Sequence, residues 1–281
     1  MCVSVLILTL NEEKNLPGCL ESVAWSDDVV VFDSYSTDKT VEIARKLGAR
    51  VFQRNFDDYA SQRNAALREV EYKNPWILMV DADERWPKEI YDEIISAISM
   101  NGGVSIYHFR RRDIFLGRTL RHTGYPTWAG RLVKRGRVTV KRSINEEYCT
   151  NGTKGYLKSH FIHYPFNKGI SYWFTRHNRY SSMEAQSIVN ETTSKLHLTT
   201  MFSRDPTRRR KFLKQLAYRL PLRPSLVFCY LFFLKGGFRD GFAGFTYCRL
   251  RAIYEYMIDL KMRELKTENE DITRGYKKSG Y

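Results

Sequence analysis

Over the first hundred residues, short runs of β-branched and apolar residues alternate with stretches in which apolar positions recur every three or four residues. This alternation predicts parallel strands joined by crossover helices. Val3 to Leu10 predicts a first strand, followed by a helix through Leu20 and Val23. Asp28 to Phe32 predicts the second strand. Ser36-Thr37-Asp38 then offers side-chain oxygens to cap a helix over Val41 to Leu47, and Gly48 supplies the residue that closes it. Val51 to Gln53, Tyr59 to Val70 and Trp76 to Val80 continue the series as strand, helix and strand, the last ending directly on Asp81. Pro87 opens another helix, Lys88 to Ile98.

After Gly102-Gly103 the alternation gives way to strand-like pieces, Ser105 to Arg111 and Gly130 to Lys134, separated by a loop rich in Arg, Gly and aromatics. The sheet is expected to continue there as a mixed one. From Lys168 onward the pattern is helical, with a dense basic stretch from Arg204 through Arg208-Arg-Arg-Lys211, Lys214 and Arg219 to Arg223. Gly236-Gly237 and Asp240-Gly241 predict a break between two helices, and the polar last dozen residues predict a frayed end. The expected organisation is an α/β catalytic domain over residues 1–165 and a helical region over 166–281.

Length and composition bound what this can be. At 281 residues, 43% hydrophobic and 27% charged, the chain can bury a large core and is not a disordered protein. The net charge of +15 predicts attraction to a polyanion, whether nucleic acid, anionic lipid or phosphorylated glycan. Five scattered cysteines, with no CxxC pair and no zinc spacing, predict a reducing compartment. The start of the chain reads as a buried strand rather than a signal peptide. Leu226 to Leu234, the longest later apolar run, is about half of the roughly 20 residues that span a bilayer, so surface attachment is expected rather than crossing.

Ligands of open α/β sheets bind beyond the C-terminal ends of the parallel strands. Here those ends carry Thr9-Leu10-Asn11-Glu12, Asp33-Ser34, Arg54 with Gln62-Arg63-Asn64, and Asp81-Ala82-Asp83-Glu84. Two carboxylates two residues apart at a strand end can aim at a Mg²⁺ or Mn²⁺ that also takes phosphate oxygens. Such a triplet alone is equally a solvated turn. Its place after an apolar strand, with Asp33 ending the second strand, favours the nucleotide site.

Thr9-Leu-Asn-Glu12, Val31-Phe-Asp33-Ser-Tyr-Ser-Thr-Asp38-Lys-Thr40, Gln62-Arg-Asn64 and Leu78-Met-Val-Asp81-Ala-Asp83-Glu84 together resemble the successive motifs of family 2 glycosyltransferases of GT-A fold. Within that family the resemblance is to bacterial lipopolysaccharide-core glycosyltransferases of the inner-core β-1,4-glucosyltransferase type. It continues through Trp128-Ala-Gly-Arg-Leu132, Ile144-Asn-Glu-Glu147, His163-Tyr164, Asn178-Arg-Tyr180 and Gly236-Gly-Phe-Arg-Asp-Gly241. The resemblance implies a Rossmann-like mixed sheet flanked by helices, followed by a helical, basic C-terminal extension. It implies an inverting, non-processive transfer of a hexose from a UDP-sugar to a glycan or glycolipid acceptor of the lipopolysaccharide-core kind. A processive synthase is not implied, since no QxxRW element is present. By the same resemblance Asp33 contacts uracil with Thr9 beside it, and Asn11 and Glu12 belong to the same donor-binding loop. Asp83 is the metal ligand, and Asp81 supports the diphosphate and donor sugar at its side.

Arg63 is a candidate phosphate contact, since a guanidinium pairs bidentately with phosphate oxygens; the alternative is a solvated arginine on a helix face. An inverting transfer also needs a carboxylate to take the acceptor hydroxyl's proton. Glu146 and Glu147 are the available pair, with Asn145 standing where the family has His before its base; the two also suit neutralisation of Arg131, Lys134 or Arg142. His160 and His163 lack a neighbouring Cys or carboxylate in sequence, which favours structural or acceptor-side roles over a metal. Tyr172-Trp173-Phe174 reads as core packing, with sugar stacking secondary. The basic stretch and Leu226 to Leu234 together predict an anionic membrane surface as partner, hence a cytoplasmic protein attached to the inner face of the cytoplasmic membrane; the alternative is a helix packed on the catalytic domain. The charge also motivates a rival nucleic-acid-binding protein, but no binding motif is visible and no nucleic-acid partner is expected. A dinucleotide-binding dehydrogenase is excluded because no GxGxxG follows the first strand.

Overall fold

The computed structural model describes residues 3–100, 102–123, 128–141, 147–192, 218, 220 and 222–273. The chain divides into two compact units, one formed by Met1–Thr119 with Gly124–Asn167 and the other by Leu120–Thr123 with Lys168–Tyr281.

The first unit opens as β1 (Val3–Thr9), α1 (Leu16–Ser22), β2 (Val29–Asp33), α2 (Thr40–Lys46), β3 (Arg50–Gln53), α3 (Tyr59–Glu69) and β4 (Trp76–Asp81). It continues as β5 (Glu84–Arg85), α4 (Lys88–Ser99), β6 (Val104–Phe115), β7 (Arg118–Thr119), β8 (Trp128–Lys134), β9 (Val138–Lys141), β10 (Glu147–Thr150) and β11 (Thr153–His163). The main sheet runs β3-β2-β1-β4-β8-β6-β11-β5, with β7 paired to β6. β3, β2, β1 and β4 are parallel; β8 turns antiparallel between β4 and β6, and β11 runs parallel to β6. β9 and β10 form a separate antiparallel pair.

Burial on both faces explains the near-continuous apolar strands at the centre. Because side chains alternate, Val3, Val5 and Ile7 of β1 enter one core cluster with Leu78, Val80, Ile90 and Ile94, while Leu6 joins Val30, Phe32, Ile77, Met79 and Ala66 on the other face. The expected helix and strand series up to α4 is present. Gly48 closes α2 at φ 81°, a conformation that costs glycine little. Beyond β4 the hydrophobic pattern conceals several strands. It identifies neither β5 nor β9 to β11, and the expected strand from Ser105 to Arg111 runs on to Phe115. β11 alternates exposed lysines with partly buried residues and carries an irregularity between Tyr156 and His160, which conceals it as a strand.

The second unit contains α5 (Ile170–Thr192), α6 (Arg223–Cys229), a π-helical turn (Tyr230–Leu234), a 3₁₀ turn (Gly237–Asp240) and α7 (Gly241–Thr273). Ala185, Ile188 and Val189 of α5 pack on Ile258 and Met262 of α7. Gly236 (φ 78°) and Gly241 (φ 64°) make the expected break between helices. Trp173 is buried, while Tyr172 and Phe174 beside it are exposed, so only part of that aromatic triplet is core. The basic residues from Arg204 to Arg219 lie outside the described residues.

Candidate functional site

The register of the parallel strands gathers the expected residues at one edge. Thr9 is opposite Asp33, and Leu8 is opposite Asp81. At the β1 and β2 ends the Asp33 carboxylate is fully buried and accepts hydrogen bonds from the Thr9 hydroxyl (2.8 Å), the Ser36 amide (2.8 Å) and the Gln53 amide (3.2 Å), as well as from the Ser36 hydroxyl. Four donors hold its orientation without a cationic partner among them.

Asn11 takes a left-handed conformation (φ 55°) and receives the Thr37 amide on its side-chain oxygen at 2.8 Å, while its own amide donates to Ser36 Oγ. The Glu12 amide donates to Thr40 Oγ1, and its carboxylate accepts from Asn15. The Thr9 to Glu12 loop is thereby laced to the loop after β2.

Gln62, Arg63 and Asn64 form a bracket in which each side chain has a separate anchor. Gln62 reaches Ser34 and Arg54, Arg63 reaches Asp81, and Asn64 pairs both ways with the backbone of Val140 in β9. Arg63 is 4% exposed, so the solvated-helix alternative is ruled out. Its Nη2 donates to Asp81 Oδ1 at 2.8 Å.

Asp81 is held on both sides. Its second oxygen accepts from Arg131 Nη2 at 2.6 Å, and the same nitrogen lies 2.5 Å from Glu84 Oε1. Both Asp81 oxygens therefore face guanidinium groups. Burial opposes the Asp81 charge, but Arg131 and Arg63 hold its carboxyl well below the usual range. Glu84 is the reverse case: burial pushes its carboxyl up to about 7, with Arg131 opposing the shift. Neither Glu84 nor Arg131 was assigned a donor-site role from sequence.

Asp83 meets a partner that the sequence reading set aside. His163, ending β11, places Nε2 3.4 Å from Asp83 Oδ2 and Nδ1 2.7 Å from Asp113 Oδ1. The Tyr164 amide donates to the Asp83 carbonyl at 2.8 Å and fixes the loop that carries it. Burial pulls the His163 imidazole down, but Asp83 and the hydrogen bond to Asp113 carry it up to about 9. A carboxylate behind one ring nitrogen and a second carboxylate before the other is the arrangement that orients a histidine ligand. Asp83 offers a carboxylate oxygen of the kind that Mg²⁺ and Mn²⁺ take, and His163 would add an imidazole nitrogen only after losing its Nε2 proton. Among the described residues no three His, Cys, Asp or Glu side chains surround a common cation position. His160, three residues earlier, instead pairs in register with Arg110.

Glu147 begins β10 opposite Lys141 and is exposed, while Glu146 lies outside the described residues. No helix among the described residues is long and apolar enough to cross a membrane.

Against known proteins, residues 4–165 match the family model for glycosyl transferase family 2. An uncharacterized glycosyltransferase of Rickettsia bellii is 45% identical over 93 residues, which cover 33% of this chain and 31% of that one, so the chain spans about a third of its length. The lipopolysaccharide core biosynthesis glycosyltransferase LpsC of Rhizobium meliloti is 24% identical over 272 residues, covering 92% of this chain and 91% of the relative. Among solved structures, residues 1–349 of S. aureus TarS align over 94% of this chain and 92% of that one at 17% identity and a TM-score of 0.46.

Proposed function

As this chain belongs to glycosyl transferase family 2, we propose that it moves a hexose from a UDP-sugar, with inversion and one residue at a time, to a lipopolysaccharide-core or similar membrane-associated glycan. The observation that carries this reading is the meeting of Asp83 and His163 at the ends of β4 and β11, in the unit where β1 and β2 end on Thr9 and Asp33. The relative's role in lipopolysaccharide core biosynthesis motivates the acceptor class.

In this reading the Asp33 carboxylate accepts from the uracil imide in exchange for one of its present donors from Thr9, Ser36 or Gln53, and Asn11 and Glu12 shape the loop over the base. Asp83 and His163 would hold Mg²⁺ or Mn²⁺, with Asp113 orienting the imidazole. A bound divalent cation supplies charge neutralisation for the departing diphosphate. Asp81, fixed between Arg63 and Arg131, faces the donor sugar. Glu146 or Glu147 takes the acceptor hydroxyl's proton as that oxygen attacks the anomeric carbon and the bond to diphosphate breaks. The test follows UDP or GDP release from a panel of nucleotide sugars with Mn²⁺, Mg²⁺ or EDTA. UDP-hexose turnover that EDTA and Asp83→Ala both abolish is expected; undiminished turnover in both would refute the metal role.

Peripheral attachment to the inner face of the cytoplasmic membrane is proposed on a separate observation. Between Leu222 and Phe242, seven large apolar side chains are exposed: Leu222 (76%), Leu226, Tyr230, Phe233, Leu234 (80%), Phe238 and Phe242 (74%). Lys235 and Arg239 are exposed among them, and the segment's one acid, Asp240, is buried and bonded to residues 121–123. Apolar side chains rimmed by cations suit an anionic lipid interface. Sedimentation with anionic but not neutral liposomes, lost in Phe233→Asp with Phe242→Asp, is the expected result.

A further inference from the structure

One face of β6, β8 and β11 carries aromatic and cationic side chains that the donor site does not use. Strand pairing sets His108 beside Gly130 and Tyr156, and Arg110 beside Trp128 and His160. Alternation sends these residues to the face opposite Phe109 and Phe161, which are core. Trp128 is 36% exposed and Tyr156 58%. Their rings meet edge to face at 5.1 Å, and the His108 ring stacks on Tyr156 at 5.1 Å. The Arg110 guanidinium lies 4.9 Å from the Trp128 ring centre. Its buried Nε makes no hydrogen bond among the described residues.

Cations predominate on this face. Arg112, Lys154 and Lys158 are exposed along it, and its nearest carboxylate, Glu93 of α4, is taken up by the Lys158 and Ser159 amides. The excess is felt at His160, where burial and then Arg112 and Arg110 hold the imidazole below its ordinary value, with Glu93 opposing. Such a surface is complementary to an anion, while rigid exposed aromatic rings offer flat apolar area to a sugar.

The place of the face gives it a use. Arg110 and His160 are each three residues short of Asp113 and His163 on the same strands, about 10 Å at the usual rise per residue. On the other side, a Cβ at Gly130 would stand 3.3 Å from the Tyr148 ring, so the glycine admits β10 close to the face. Glu147, a candidate base, immediately precedes Tyr148. The odd spacing puts Asp113 and His163 on the other side of the sheet, so the face stops short of the strand ends that carry them and borders, on its far side, the strand that begins with Glu147.

We propose that this face is an acceptor subsite for an anionic, phosphate-bearing oligosaccharide, with a sugar ring on Trp128 and Tyr156 and the anionic group on Arg110 and Arg112. The proposal rests on the transferase reading and specifies its acceptor. The test measures binding of three probes by calorimetry: a deacylated phosphorylated lipopolysaccharide-core oligosaccharide, the same oligosaccharide after dephosphorylation, and UDP with Mn²⁺. Tyr156→Ala, whose ring is largely in solvent, is expected to weaken the phosphorylated probe about ten-fold, and Trp128→Ala similarly, with Trp128→Phe retaining most of the affinity. Arg110→Gln is expected to erase the preference for the phosphorylated form. UDP affinity is expected to be unchanged throughout. Unchanged oligosaccharide affinity in both alanine variants overturns the subsite, as does a wild-type protein that binds UDP but neither oligosaccharide. A single-stranded RNA bound on the same residues as tightly as the oligosaccharide also overturns it. Failure of the wild-type protein to bind UDP counts against the donor reading instead, while the oligosaccharide affinities still decide the subsite.

Discussion

Replacing Arg131 by Met isolates the electrostatics of the buried cluster at the end of β4. Arg131 Nη2 lies 2.6 Å from Asp81 and 2.5 Å from Glu84, and the guanidinium carbon is 5.6 Å from the Phe161 ring centre. Methionine fills much of the stem's volume against Phe161 but leaves two carboxylates facing each other. Asp81 retains Arg63, whereas Glu84, fully buried, keeps only its hydrogen bond from the Asp81 amide at 3.2 Å. Removing one partner of a buried ion pair costs about 3–5 kcal/mol. Protonation of Glu84 relieves part of this, because its carboxyl already sits at about 7 and loses its cation in the variant. The expected cost is therefore about 3 kcal/mol near neutral pH, with the variant more destabilised at pH 8 than at pH 6. For a folding unit of this size that corresponds to a fall of roughly 6–12 °C in Tm. Circular dichroism melts of the wild type, Arg131→Met, Glu84→Gln and the double variant measure it. The double variant should be more stable at pH 8 than Arg131→Met alone, since the second change removes the stranded charge. A loss below about 1 kcal/mol in Arg131→Met, independent of pH, would refute the reasoning.

Three further outcomes are expected. Asp83→Asn and His163→Gln should each abolish the tightening of UDP binding by Mn²⁺ in calorimetric titrations while leaving metal-free UDP affinity alone; a full Mn²⁺ response in either would remove that residue from the cation site. His163, carried up to about 9 in the fold, stabilises through its protonated form, so its contribution is complete below pH 6.5 and is lost as pH rises through 9; urea denaturation of the metal-free protein should show about 3 kcal/mol of decline across that window, absent in His163→Gln. Asp240 accepts from the amides of Arg121, His122 and Thr123 and from the Thr123 hydroxyl, so Asp240→Leu, which strands these donors, should cost about 1–3 kcal/mol of stability in a thermal melt.

The β1 to β4 half was readable because its strands are buried on both faces and so write uninterrupted apolar runs, and because the residues that end them are polar and conspicuous. Thr9, Asp33 and Asp81 could be collected from sequence since parallel neighbours end at one edge. What surrounds them could not. Arg131 is 50 residues from Asp81, and His163 is 80 from Asp83; their approach depends on β8 turning antiparallel and on β11 running beside β6 across an irregular register.

Local sequence also does not reveal the different surroundings of the three carboxylates in the Asp81 to Glu84 tetrad. Their different settings divide the roles. Asp81 leaves the end of β4 between two guanidiniums and stays charged; Glu84, buried in β5, shares one of those guanidiniums and is drawn toward neutrality; Asp83 turns to His163. The triplet therefore carries two unlike carboxylates, one held between two arginines and the other facing a distant histidine. Neither partner type is encoded in the spacing of the triplet itself, because both arrive from strands and helices far along the chain.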